Sequence, residues 1–253
     1  MASITVSLAG IPVGIELYSP DTGNWFSEYL CDDSPCFTVG ASPEDLEYER
    51  VQTTNYHRFK GLPAREWSDS YLERLALLRL IANRMVDYDV ILFHSAIIAL
   101  DGKAYLFAAP SGTGKTTHIR LWLSQFPRAY VLNGDKPFLK AGKDGRIMAC
   151  GTPWRGKEHF GVNEILPLQG ICLLERAPEN RIRPLALNEA MNLLLRQAHI
   201  PKDPAATLKA LRLVETIGQN TRLFRMGCNM DPEAAFVSRR AMVDAAAEVL
   251  PDE

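Results

Sequence analysis

The stretch AAPSGTGKTTH, residues 108–118, constrains this chain more than any other. It lies where the apolar run KAYLFAA gives way to TTHIRLWLSQF, whose apolar residues return at helical spacing. Gly112, Gly114, Lys115 and Thr116 fit the later positions of the pattern G-x-x-x-x-G-K-[ST], between a strand and a helix. The spacing has a physical basis. Small residues let successive backbone N–H groups converge on an anion, and a helix N-terminus adds partial positive charge. A lysine there reaches outer phosphates, and the hydroxyl after it can ligate Mg²⁺. The expected phosphate cradle is Pro110, Ser111, Gly112, Thr113, Gly114, Lys115, Thr116 and Thr117. Ala109 stands where the pattern has its first glycine. If that position needs positive φ, alanine costs about 1 kcal/mol or more; with negative φ the cost nearly vanishes.

Composition sets the frame. The chain has 253 residues, 47% hydrophobic and 23% charged, enough for one large or two small domains with a real core. A net charge of −2 argues against a nucleic-acid partner or an acidic membrane surface. Residues 1–20 lack the charged start of a secretory leader. The five cysteines, an odd count, then read as free thiols in a reducing cytoplasm. Cys31 and Cys36 have no second pair at zinc-site spacing. The apolar run VILFHSAIIAL is broken by His94 and too short to span a bilayer.

Residues 3–18 alternate like a hairpin, and CFTVGA at 36–41 like a short strand. Residues 42–66 carry Pro, acids and GLP, and read as connecting structure. A helix follows, with Ser70 and Glu73 spaced as a capping box and Leu72, Leu75, Leu78, Ile81 and Met85 at helical period. From Val90 the chain reads as strand, Asp-Gly hairpin turn, strand, phosphate loop, helix and strand. A second hairpin turns at 143–145, and LQGICLLE is a buried strand. Helices are expected at about 187–199, 203–218 and 232–249, with LFRMGC a strand between the last two. The expected fold is α/β: a β-rich N-terminal layer over 1–65, then a mixed-sheet core with C-terminal helices over 66–253.

Three further segments bear on chemistry. AYVLNGD ends in Asp135, an acid placed to hold Mg²⁺ or to accept the proton of an attacking hydroxyl. Asn-Gly is also a turn signal, so the same residues could be a plain turn. Hairpin register would bring His94 near Ala109, at the phosphate end, where a substrate or phosphate contact is open to it. GTPWRGKEHFGVNE, 151–164, offers Arg155 and Lys157 to offset charge on a transferring phosphoryl group. Its Trp154 points to an ordered loop.

PSGTGKTT after a hairpin, with a strand histidine before it and a strand ending in GD after it, resembles the HPr kinase/phosphorylase and phosphoenolpyruvate carboxykinase superfamily. Over 90–176 the chain is similar to small HPr-kinase-like bacterial proteins. The resemblance implies a P-loop core of that type, a bound nucleoside triphosphate such as ATP, and Mg²⁺ held by Thr116 and Asp135. It implies catalytic roles for Lys115, Asp135 and His94. Two departures stand out. Those families place two adjacent acids after the strand, whereas Lys136 follows Asp135 here. The arginine-and-glycine signature that grips HPr is also missing, which argues against HPr as substrate.

The expected function is an ATP-dependent kinase acting on a hydroxyl of a peptide, protein or small molecule. Oligomers are compatible with it. Lys136 motivates the alternative, a nucleotide-binding regulatory or scaffold protein lacking transfer activity.

Overall fold

The computed structural model describes residues 2–110 and 112–243. Ser111 and the end of the helix expected at 232–249 therefore lie outside the described residues. The chain forms two compact units, Met1–Tyr88 and Asp89–Glu253.

In the first unit, β1 (Ser3–Leu8) and β2 (Ile11–Glu16) form the expected hairpin, turning at Ala9-Gly10 with φ of 52° and 71°. Helix α1 (Pro20–Trp25) follows, then β3 (Phe37–Gly40), which pairs parallel to β2. Residues 42–66 are not merely connecting structure, because α2 (Pro43–Phe59) occupies most of them. Its start signal was legible but masked by the acids around it. The Ser42 hydroxyl accepts from the Asp45 N–H, the Asp45 carboxylate accepts from the Ser42 N–H, and Pro43 takes the first turn.

Helix α3 (Asp69–Met85) is capped by Ser68 rather than by the expected pair of Ser70 and Glu73. Glu73 lies one turn in, on the apolar face with Leu72, Ala76 and Leu77, and is fully buried. There its carboxylate accepts from the Tyr18 N–H at 2.6 Å, the Ser19 N–H at 3.0 Å and the Thr22 hydroxyl at 2.5 Å. It thus serves donors at the start of α1. A carboxamide would turn an NH₂ toward donors that need an acceptor. Glu73→Gln is expected to lower stability by about 2 kcal/mol, read as a shifted urea midpoint.

In the second unit, β4 (Val90–Leu92), β5 (Ala96–Leu100) and β6 (Lys103–Ala108) lead to α4 (Lys115–Gln125). Next come β7 (Tyr130–Asn133), β8 (Phe138–Ala141), β9 (Ile147–Cys150), β10 (Ile165–Arg176) and β11 (Arg181–Pro184). Helices α5 (Leu187–Gln197) and α6 (Pro204–Gln219), strand β12 (Arg222–Cys228) and helix α7 (Glu233–Met242) complete it. Strand β11 had been overlooked, being four residues with two arginines and a terminal proline.

The sheet is mixed, in the order β4-β8-β9-β10-β6-β5-β7, with β12 on β10 and β11 on β12. Long β10 makes the curl. Its first residues pair antiparallel to β9, and the rest runs parallel to both β6 and β12. Strands β6, β10 and β12 therefore end on one edge, at Ala108, Arg176 and Cys228. Ligands of α/β sheets bind at such carboxyl ends. Alternate residues of these strands, including Phe107, Cys172, Leu174 and Met226, bury one face against α4 and α7 around Trp122. Among the described residues no helix is long and apolar enough to cross a membrane.

Candidate active site

Strand β6 delivers the loop expected to bind phosphate to the carboxyl edge, and α4 carries the chain away. Ala109 is not among the non-glycine residues with positive φ, so its missing glycine brings no left-handed strain. Its small, buried side chain completes the core at the strand end. Positive φ falls instead on Gly112 (81°) and Gly114 (119°). A methyl at either would meet nothing within 4 Å, so backbone conformation rather than space calls for glycine there. Gly114 is the N-cap of α4, and Lys115 begins the helix.

Lys115 folds back across the loop, its Nζ donating to the Ala109 carbonyl at 2.9 Å. Burial pushes its pKa below the usual lysine range, and Lys136 pushes the same way against the pull of Asp135. The Thr113 N–H donates to the Pro110 carbonyl at 3.1 Å, closing the turn. Thr116 is exposed on the first turn of α4, and Thr117 is half-buried beside it.

Asp135 follows β7 through a turn built by Asn133. The buried Asn133 side chain accepts from the Asp135 and Lys136 N–H groups at 3.0 and 2.9 Å. Its amide donates to the Thr152 carbonyl and hydroxyl at 3.0 and 3.1 Å. The Thr152 hydroxyl in turn donates to the Lys136 carbonyl at 2.7 Å. NGD is thus both a turn and the device that presents the acid.

His94, expected near Ala109 for a substrate or phosphate contact, meets Asp135. The run 90–100 is broken at 93–95, so His94 stands in a bend rather than inside a continuous strand. The bend is pinned by the Phe93 N–H to the Pro137 carbonyl, His94 to Gln197 and Ser95 to Asp135, at 3.0, 2.7 and 3.0 Å. His94 Nε2 then lies 3.3 Å from Asp135 Oδ1. Burial pushes the Asp135 carboxyl up. The His94 hydrogen bond and the charges of Lys136, His94 and Lys115 outweigh it, leaving the group below its ordinary value. Burial also depresses Lys136, against the pull of Asp135.

The 151–164 loop is ordered, with Trp154 only 6% exposed. Its backbone lies directly on the Asp135 turn, where the Gly134 N–H donates to the Phe160 carbonyl at 3.0 Å. A Cβ on Gly134 would come 2.9 Å from the Arg155 carbonyl, and one on Gly156 would come 2.9 Å from Asp135 Cβ. Arg155 therefore adjoins Asp135 through its backbone. Lys157 is exposed and, among the described residues, makes no hydrogen bond or ion pair. Glu158 links the loop to α4 through Arg120 at 2.9 Å. The structure thus gathers Lys115, Asp135 and His94 with Lys136, and leaves Lys157 apart.

Three participants escaped the sequence reading: Asn133, Thr152 and Arg176. The first had a signal in NGD, whereas the other two depend on pairings made only in the fold. Among the described residues, no three His, Cys, Asp or Glu side chains gather to hold a metal.

No family model and no curated protein matches this sequence. Among solved structures, the chain is similar to the HPr(Ser) kinase/phosphatase from Coxiella burnetii. That likeness covers 61% of this chain and 98% of the other at 9% identity, with a TM-score of 0.37. A likeness at that level carries no argument about chemistry, which has to come from the residues themselves.

Proposed function

We propose that this protein is a Mg²⁺- and nucleotide-dependent phosphotransferase, a kinase with a P-loop core of the HPr kinase/phosphoenolpyruvate carboxykinase type. Its acceptor is a hydroxyl on a peptide, protein or small molecule. The observation that carries this reading is the placement of Asp135, tied to His94, within the charge field of the phosphate-loop lysine. In this reading the backbone of 110–116 and Lys115 hold the phosphates of ATP. Asp135 orients the acceptor hydroxyl and takes its proton, while His94 holds the carboxylate in place. Arg155 or Lys157 would counter charge at the transferring group. Thr116 and Asp135 would hold the nucleotide's Mg²⁺, which offsets phosphate charge when bound.

Lys136 favours a second reading, nucleotide binding without transfer. It places a cation, rather than a second acid, next to Asp135. Calorimetry with ATP should show binding that strengthens on adding Mg²⁺, and γ-labelled ATP should lose its label to an acceptor. Absence of binding would overturn both readings, whereas binding without label transfer across peptide and small-molecule acceptors would select the second.

A further inference from the structure

Arg176, the last residue of β10, is an exposed cation whose guanidinium turns onto the phosphate loop. Its Nη2 donates to the Gly112 carbonyl at 2.6 Å, and its Nε points at the Thr113 carbonyl at 3.5 Å. These are consecutive peptide units. In a trans peptide the C=O and N–H point in opposite directions. A fork that draws the Gly112 and Thr113 carbonyls to one side therefore turns the Thr113 and Gly114 N–H groups to the other. The Thr113 N–H is spent inside the turn on the Pro110 carbonyl at 3.1 Å, which leaves the Gly114 N–H to face an anion. Both glycines that allow this path have positive φ and open space around them, so neighbouring side chains do not fix the loop at these points.

The strand pairing explains why this arginine can do it. Strand β10 runs parallel to β6, with Leu173 opposite Ala108, so both chains leave the sheet side by side at the same edge. Along β10, Cys172 and Leu174 belong to the core beneath α4, and Arg176 continues that face beyond the edge. Glu175 faces the other way and pairs with Arg225 at 2.5 Å. The planar, permanently charged fork suits two neighbouring carbonyls in a way a single ammonium does not.

We infer that Arg176 is the positioning residue of the phosphate loop, holding its turn so that the Gly114 N–H faces a polyphosphate chain. This rests on the nucleotide-binding reading above and adds to it the group that preorganises the cradle. Binding energy is then concentrated on the phosphates rather than on the nucleoside.

The test is calorimetry of the full chain, wild type, Arg176→Ala and Arg176→Lys, against Mg²⁺-ATP, Mg²⁺-tripolyphosphate and adenosine, with melting curves alongside. Arg176→Ala should weaken ATP and tripolyphosphate by the same factor, about tenfold, as for loss of a charge-assisted hydrogen bond. Adenosine binding and melting temperature should stay unchanged, because the side chain is exposed. Arg176→Lys, able to hold one carbonyl, should recover part of the loss. Equal affinity of wild type and Arg176→Ala for both phosphate ligands would overturn the inference and leave the nucleotide reading standing. Failure of the wild type to bind either phosphate ligand would remove that reading too. Should Arg176→Ala melt early, Arg176→Lys decides. A folded lysine variant that binds tripolyphosphate as tightly as wild type overturns the role of the fork.

Discussion

Asp135→Asn should lower phosphoryl transfer by about 10²- to 10⁴-fold, the range for losing a positioned proton acceptor. The substitution is nearly isosteric and spares the surrounding framework. The bonds that fix this turn use the Asp135 backbone, from its N–H to Asn133 and to its carbonyl from Ser95. The new carboxamide oxygen can still accept from His94 Nε2. Folding should therefore survive, with a melting temperature somewhat below wild type at neutral pH, where the ionised carboxylate stabilises the native state. What disappears is a carboxylate that burial pushes up but that the His94 hydrogen bond and the nearby charges of Lys136 and Lys115 help to hold below its ordinary value. A group with a depressed folded pKa stabilises the native state at all pH above its unfolded value, about 4, and loses this as pH falls through the folded one. The asparagine variant should lack that contribution at neutral pH, so its melting temperature and that of wild type should converge as pH falls, while transfer is lost throughout. Single-turnover transfer from γ-labelled ATP is the measurement. Wild-type rates in the variant would remove Asp135 from the role of base.

Lys115→Ala should weaken Mg²⁺-ATP binding by about ten- to a hundredfold, the loss of a charged hydrogen bond to phosphate. Transfer should fall further, by about 10²- to 10³-fold, since charge developing on the phosphoryl oxygens is also left uncompensated. The fold has little to lose. Burial and Lys136 depress the Lys115 pKa, so its charge is disfavoured in the folded chain. Its one internal partner, the Ala109 carbonyl, lies at the mouth of the loop. A drop in melting temperature as large as that for Glu73→Gln would show that Lys115 is a structural cation instead. Binding unchanged in calorimetry would sink the phosphate role.

The two variants separate the competing readings. A kinase loses transfer in both and affinity mainly with Lys115. A binding module loses affinity with Lys115 and has no transfer for Asp135 to govern. Lys136 is the residue on which the distinction turns, because it sets a cation beside Asp135 and acts on it electrostatically.

Much of the framework was legible because it is local. The hairpin at Asp101-Gly102, the strand before the loop, the glycines and lysine of the loop and the three later helices each carry their signal within a dozen residues. Errors arose where a local signal had two uses. Pro and acids over 42–50 suggested a loop, but the same residues cap a helix. Glu73 had the spacing of a cap and proved to be a buried acceptor for donors more than fifty residues away. A simple hairpin extrapolation leaves His94 inside a strand, whereas hydrogen bonds to two other segments, 135–137 and Gln197, bend the chain there.

By itself, the sequence determined that a glycine-bearing loop joins a strand to a helix beginning near Lys115, and that an acid follows the next strand. These features depend on backbone freedom and helix initiation, which neighbouring residues control. Tertiary structure alone decided that Ala109 adopts negative φ, that His94 meets Asp135, that Thr152 braces the acid's turn and that Arg176 holds the loop carbonyls. Each of those depends on which strands lie side by side. Pairing of β10 with β6 brings together residues more than sixty positions apart, and no short window of sequence records that choice.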